Sequence, residues 1–311
     1  MNLHQLEYLL AIDTHRHFER AAKDCHVTQP TLSMMIRKLE QELDVVLFDR
    51  SKHPTIPTPI GVKLINQARV ILEEVTKFRE IGLEAKNVLS GELNLGVIPT
   101  LAPYLIPRFL KPFLDAYPNI FLRIYENTTT NLIDLLKKGQ IDAALLVTPL
   151  NDKSIIEHPL FYEEFFVYST SSFNKRYLFP KDINPEELWL LEEGHCFRSQ
   201  ILNLCELQKA SNARMEYYAG SLETLIQIVR QHKGTTILPE LSTYNLLPED
   251  LKKLVRFAPP APIREVSMVQ HRNQLKKRLI DPLLKILLQN IPEELKLGVA
   301  DRQIISIQEP R

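Results

Sequence analysis

Residues 6–50 read LEYLLAIDTHRHFERAAKDCHVTQPTLSMMIRKLEQELDVVLFDR, and this stretch decides how the chain begins. Leu3, Leu6, Leu9, Leu10 and Ile12 recur at helical spacing. A second helix is expected from Phe18 to about Cys25, and a third starts almost at once. Thr28 can cap it, Pro30 suits a first turn where no N–H partner is needed, and Leu32, Met35, Ile36 and Leu39 extend its apolar face to Leu43. Two short helices joined by a tight turn make a helix-turn-helix. Val45 to Phe48 then reads as a strand, and Pro54, Pro57 and Pro59 exclude a helix from Ser51 to Pro59 and suit a wing. Residues 1–59 are therefore expected to be a winged helix-turn-helix.

From Ile60 to Leu89 no proline interrupts the chain, and Leu64, Ala68, Ile71, Val75, Phe78, Gly82, Ala85 and Leu89 follow steps of four and three. A heptad seam needs a partner helix, so residues 60–90 are expected to be a dimerising linker helix; an amphipathic helix lying on its own core is the alternative. Beyond it strand and helix patterns alternate. Strands are expected at Glu92–Ile98, Ile120–Tyr125, Ile141–Val147, Phe165–Ser169, Trp189–Leu191 and Thr235–Leu238, with helices at Leu105–Tyr117, Thr130–Lys138 and Ser221–His232. This is an α/β pattern, expected to form two subdomains, about 91–161 with 267–300 and about 162–266, with ligands favoured in the crevice between them.

The 311 residues leave room for two or three folding units, and 44% hydrophobic with 24% charged residues excludes a disordered or fibrous chain. Only 9 residues are Gly, and neither G-x-x-x-x-G-K-[ST] nor G-x-G-x-x-G occurs, so nucleotide-driven catalysis loses its usual signatures. No signal peptide and no apolar run long enough to span a membrane is present, and three cysteines are too few for a disulfide framework, so a cytoplasmic location is expected. No cofactor or metal is expected: Cys25 with His15, His17 and His26 matches no zinc spacing.

Lys plus Arg is 38 and Asp plus Glu is 38, so any attraction to nucleic acid must be local. No acid occurs between Asp24 and Glu40, where Arg37 and Lys38 lie, nor between Asp49 and Glu73, where Arg50, Lys52, Lys63 and Arg69 lie. Basic groups thus fall on the third helix and the wing, as phosphate contacts require. At the front of that helix Thr28, Gln29, Thr31 and Ser33 offer short donors and acceptors, and Arg37 follows one turn on. Gln can pair with adenine and Arg with guanine in a major groove.

Phe18, Ala21-Ala22, Gln29-Pro30, Ser33, Ile36, Leu39-Glu40 and Leu47-Phe48-Arg50 make the run similar to the DNA-binding region of LysR-type transcriptional regulators. That resemblance implies a homotetramer, a dimer of dimers joined by linker helices, that binds double-stranded promoter DNA and works with RNA polymerase. It also implies a C-terminal regulatory domain like a periplasmic binding protein. The wing departs from the family, with Lys52-His53-Pro54 in place of an arginine-rich hairpin.

Cys196 and Cys205 stand nine positions apart, in neither a C-x-x-C nor a zinc pattern. Phe197, Ile201, Leu204 and Leu207 recur helically after Gly194, which puts Cys196 at a helix start with His195 and Arg198 beside it, surroundings expected to favour thiolate. On residue chemistry alone, two inert buried thiols stand as the alternative. The string Glu193-Gly-His-Cys-Phe-Arg-Ser-Gln200, Cys205, Ser221-Leu-Glu-Thr-Leu225 and Gly96-Val-Ile-Pro-Thr-Leu-Ala-Pro-Tyr-Leu105 resembles the hydrogen peroxide-sensing members of the LysR type. The resemblance implies that Cys196 meets peroxide, that Cys205 resolves the product as a disulfide, and that Thr100, Thr129, His195 and Arg198 polarise peroxide or a nearby water. Glu216 replaces a histidine common in that group, and the resemblance implies nothing for the tail past Pro292. The expected function is a peroxide-responsive transcription factor rather than an enzyme. A LysR-type regulator whose Thr100 and Thr129 hold a metabolite carboxylate, and a thiol peroxidase, are the alternatives.

Overall fold

Asn2 opens the first helix, α1 (Leu3–His15), with a capping box: its side chain accepts from the Gln5 amide, and Gln5 Oε1 accepts from the Asn2 amide. Helices α2 (Phe18–Asp24) and α3 (Gln29–Leu43) follow, the latter capped by Thr28 with Pro30 in its first turn. Leu9, Ile12, Ala21, Leu32, Ile36 and Leu39 close the core among them. The expected strand from Val45 to Phe48 is instead β1 (Phe48–Asp49): Val46 lies in solvent, Val45 packs partly buried on the helix-turn-helix core, and Leu47 and Phe48 are fully buried in it. It pairs antiparallel with β2 (Ile56–Pro57), which makes the wing.

The computed structural model describes residues 1–52, 54–84, 89–170, 173, 175–191, 196–205, 220–232, 234–274, 276–296 and 302–305. They divide into two compact units, Met1–Val88 and Leu89–Arg311. Helix α4 (Pro59–Glu84) completes the first unit. A Cβ on Gly61 would stand 2.1 Å from the Leu47 carbonyl oxygen, so only glycine lets this helix start so close to the wing. Its expected seam divides in two. Leu64, Ala68 and Ile71 pack with Ile65 and Leu72 on the helix-turn-helix core, whereas Phe78 is 78% exposed. Side chains from 79 to 88, including Gly82 and Ala85, lie outside the described ones, and Leu89 packs into the second unit's core.

The second unit runs β3 (Gly91–Val97), α5 (Ala102–Ala116), β4 (Ile120–Glu126), α6 (Thr129–Lys137), β5 (Ala143–Thr148) and β6 (Ile155–Ser169). Then come β7 (Tyr177–Leu178), α7 (Cys196–Leu204), α8 (Leu222–Gln231), β8 (Thr235–Pro239), α9 (Glu240–Thr243) and α10 (Pro248–Leu251). Strands β9 (Leu254–Phe257) and β10 (Ala261–His271), helix α11 (Lys277–Asn290) and β11 (Arg302–Ile304) end it. Strands β4, β3 and β5 are parallel, and β10 joins β5 to β6 antiparallel. Strand β6 then changes partners: Ile155 to Glu164 pair with β10, while Phe165 to Ser169 pair with β8. One long strand thus belongs to two sheets, which makes the two-subdomain α/β fold of periplasmic binding proteins.

Only Phe165–Ser169 of β6 was expected, and β10 was not. The strand expected at Trp189–Leu191 is a correction: Leu188 makes a single bridge to Thr235, and the Trp189 amide donates to the Thr235 carbonyl at 2.8 Å. Gly96 matters for the site below. A Cβ there would lie 2.6 Å from Leu132 Cδ2, so the missing side chain lets α6 settle on β3 and brings Thr129 in with it.

Candidate functional site

Two places carry chemistry, one in each unit. On α3 the side chains of Gln29, Pro30, Thr31, Arg37 and Lys38 are exposed, and Thr28 Oγ1 accepts from the Thr31 amide at 3.4 Å. Phe18, Val27, Gln29, Ser33, Arg37 and Arg50 line a groove of about 750 Å³. Such a face presents polar side chains at the N-terminal end of a recognition helix, where base edges are read.

Arg50, expected among the DNA-binding cations, is already held by the protein. Its Nη2 donates to Glu40 Oε2 at 2.8 Å, its Nη1 to Ser33 Oγ at 3.4 Å, and its guanidinium lies 5.0 Å from the centre of the Phe18 ring. Glu40 Oε1 in turn accepts from the Leu47 amide at 2.9 Å. The pairs Leu39-Glu40 and Phe48-Arg50 are therefore one brace between recognition helix and wing, and Arg50 is committed to it. Arg69 is committed too, to Asp13 at 2.5 Å, while Lys52 and Lys63 are exposed. His53 lies outside the described residues. His15 pairs with Asp24 at 3.0 Å and His17 caps α2; burial, then Asp24 and Glu7, push the Cys25 thiol up.

In the second unit Cys196 is the first residue of α7, and Phe197 and Ile201 anchor that helix in the core. Cys196, Cys205 and Cys25 are free thiols. The residue Cys196 is only partly covered, but its sulfur is desolvated, and this dominates: burial raises the thiol pKa. The Thr129 hydroxyl, the Arg264 guanidinium and the backbone amides of Phe197 and Cys196 oppose the rise without cancelling it. The expected thiolate is thus corrected to a thiol in the resting state, because desolvation outweighs the helix start. Cys205 is pushed up to about 12 by burial alone.

Arg264 on β10 is fully buried and was missed in the sequence. Its Nε donates to Glu163 Oε1 at 2.8 Å and its Nη1 to Thr100 Oγ1 at 3.1 Å, and its guanidinium lies 5.2 Å from the Phe197 ring centre. Nη2 stands 2.8 Å from the same Glu163 oxygen but off the hydrogen-bond line. Glu163 is completed by the Leu241 amide at 2.7 Å. Arg198, expected to polarise peroxide, donates from Nη1 to the Leu191 carbonyl at 2.9 Å, and Arg264 is a cation that acts on the thiol. Thr100 and Thr129 are both drawn in, Thr100 through Arg264 and Thr129 beside the sulfur; His195 and Glu216 lie outside the described residues. The Thr129 hydroxyl lies against the Cys196 sulfur, and Arg264 Nη2 is held in its ion pair with Glu163.

A winged helix-turn-helix followed by a two-subdomain α/β unit that buries a thiol defines a signal-responsive transcriptional regulator. Residues 3–62 match the family described as bacterial regulatory helix-turn-helix protein, lysR family, and residues 86–292 match the LysR substrate binding domain. The chain belongs to the LysR family, in its OxyR group of hydrogen peroxide-inducible gene activators. A Dickeya chrysanthemi protein named hydrogen peroxide-inducible genes activator is 37% identical, over 86% of this chain and 89% of its own. A full-length OxyR variant from Pseudomonas aeruginosa is 32% identical with a TM-score of 0.76, covering 94% of this chain and 99% of that one. A hydrogen peroxide-bound OxyR variant from Corynebacterium glutamicum is 29% identical with a TM-score of 0.58, covering 93% and 92%.

Proposed function

We propose that this regulator senses hydrogen peroxide directly through Cys196 and passes the signal by a disulfide to Cys205. The observation that carries this reading is the convergence of the Thr129 hydroxyl and the Arg264 guanidinium on a buried thiol that begins the helix ending beside Cys205. The guanidinium stabilises thiolate as it forms, and the Thr129 hydroxyl beside the sulfur is placed to donate to peroxide so that the distal oxygen leaves as hydroxide. Attack of the Cys196 thiolate on the O–O bond gives a sulfenic acid and, after protonation, one water. The Cys205 thiol then displaces the second oxygen as water. Two thiols are oxidised and one peroxide is reduced to two waters.

The same reading divides the labour along the chain. Residues 1–59 read promoter DNA, 60–90 pair with a second copy through the exposed part of α4, and 91–311 sense. Dimers pair into a homotetramer that contacts RNA polymerase, and regulation is stoichiometric, so no catalytic turnover is required. Among the described residues no helix is long and apolar enough to cross a membrane, and work on promoter DNA puts the protein in the cytoplasm. Free thiols and promoter binding measured side by side, before and after one equivalent of peroxide, test the proposal. Loss of two thiols together with altered DNA binding is expected, and altered binding with all thiols retained would point to a metabolite instead.

A further inference from the structure

The C-terminal tail is laced to the redox helix. Strand β11 adds in parallel to the start of β10, with Arg302, Gln303 and Ile304 opposite Ala261, Pro262 and Ile263. The next residue, Ile305, donates its amide to the Ile263 carbonyl at 2.9 Å, and its side chain, 6% exposed, joins the core. Its carbonyl accepts from Gln200 Nε2 at 3.1 Å. Gln200 is fully buried on α7, four residues after Cys196 and five before Cys205. The strand position just after Ile263 is Arg264, whose guanidinium acts on the thiol. One short tail segment therefore touches both the helix between the cysteines and the strand that carries the site's cation.

We propose that the tail strand, through Ile305 and Gln200, holds α7 in its reduced conformation, so that Gln200 and the tail are positioning elements of the Cys196–Cys205 switch. The inference rests on the peroxide reading above. Closing the disulfide requires α7 to open, and Gln200 lies in the middle of the segment that must rearrange. Its bond to the Ile305 carbonyl is then lost, and a buried amide and a buried carbonyl must find other partners or water. The bond is made only in the reduced state, so it draws the equilibrium toward the two thiols. Chemistry at the sulfurs is unchanged: peroxide oxidises the pair with release of two waters, and an external dithiol returns the two electrons and two protons while becoming a disulfide itself.

The test uses the full-length protein, a chain ending after Asp301, Gln200→Met in each, and dithiothreitol buffers of fixed ratio. Truncation and Gln200→Met should each shift the equilibrium at least tenfold toward the disulfide, about 30 mV more negative for this two-electron couple. In the shortened chain Gln200→Met should add little, since its partner is already gone. Hydrogen exchange on the full chain gives an independent readout: the Ile305 amide should be protected when the thiols are reduced and exchange fast in the disulfide form. If the shortened chain does not fold, Gln200→Met and the exchange measurement decide alone. Equal midpoints in every chain, with tail exchange the same in both redox forms, would overturn the inference and leave the disulfide switch standing. Failure of wild type to form the disulfide at all would instead overturn the peroxide reading.

Discussion

Arg264 and Glu163 form an ion pair 2.8 Å apart with both side chains fully buried, across the strands β10 and β6 that join the two subdomains. Removing one partner strands a charge in the core, which costs about 3 to 5 kcal/mol, whereas replacing both with apolar groups is far milder. Arg264→Met should therefore lower the stability of the regulatory unit by roughly that amount, and Arg264→Met with Glu163→Leu should recover most of it. Denaturant titration of wild type and these two variants measures both. A double variant no more stable than Arg264→Met would mean the pair is not the unit that matters.

The two threonines separate by role. Thr129 has a buried hydroxyl that acts on the Cys196 sulfur, while Thr100 accepts from Arg264. Thr129→Val should slow oxidation of Cys196 while leaving the Arg264 network intact. Thr100→Val should slow it as well, through a less well held guanidinium, with little change in the DNA affinity of the reduced protein. Stopped-flow oxidation rates equal to wild type in either variant would take that residue out of the site.

The helix-turn-helix was legible because its signals are local: Thr28 caps, Pro30 starts a helix, and apolar spacing marks Leu32, Ile36 and Leu39. Strand β10 was not, since Arg264 and Glu265 interrupt the apolar pattern of a strand that is otherwise largely buried. Their partners are remote in sequence: Glu163 lies 101 positions from Arg264, so nothing nearby announces that the charge is internal. The pairing of Arg50 with Glu40 was not legible either, because the two meet only after the wing folds back. A further misreading came from the cysteine. Its place at a helix start was visible, but the desolvation that decides its pKa comes from the tertiary packing around it.

That desolvation has a kinetic consequence. Burial holds the Cys196 thiol above the ordinary cysteine range, and only the thiolate attacks peroxide. At neutral pH the group is therefore mostly protonated, and raising the pH deprotonates it. The rate of oxidation should climb about tenfold per pH unit from pH ~6 to ~8.5, with no plateau below the ordinary thiol pKa of about 8.5. A rate independent of pH across that window would show that bound peroxide or a neighbouring group lowers the thiol further than the resting structure does.

Arg50 and Arg37 should fail differently. Arg50→Met breaks the brace to Glu40 and Ser33, so the wing loosens from the recognition helix at a cost of about 1 to 3 kcal/mol in stability of the DNA-binding unit. Affinity should drop for all sequences together. Arg37 is exposed on α3, and Arg37→Ala should cost about 1 to 3 kcal/mol only on the preferred operator. Binding to operator and to unrelated DNA over a salt series distinguishes them. An Arg37→Ala protein with unchanged operator preference would make that residue a phosphate contact.

Helix α7 is continuous in the thiol form, with the Cys205 amide still donating to the Ile201 carbonyl at 3.0 Å. Nine helical rises of ~1.5 Å put the two Cα atoms about 13 Å apart, and a disulfide tolerates only ~4.4 to 6.8 Å. The bond can close only if the intervening turns open and Phe197 or Ile201 leaves the core, which makes the event two-state and gives the regulator a large displacement to transmit. Cys205→Ser should still oxidise at Cys196 but keep α7 helical, while Cys196→Ser should not respond to peroxide at all and Cys25→Ser should respond as wild type. Hydrogen exchange over residues 196–205 in the two redox forms reads the opening directly. Slow exchange retained throughout that stretch after complete disulfide formation would rule the unwinding mechanism out, and a peroxide response surviving in Cys196→Ser would rule out the thiol mechanism itself.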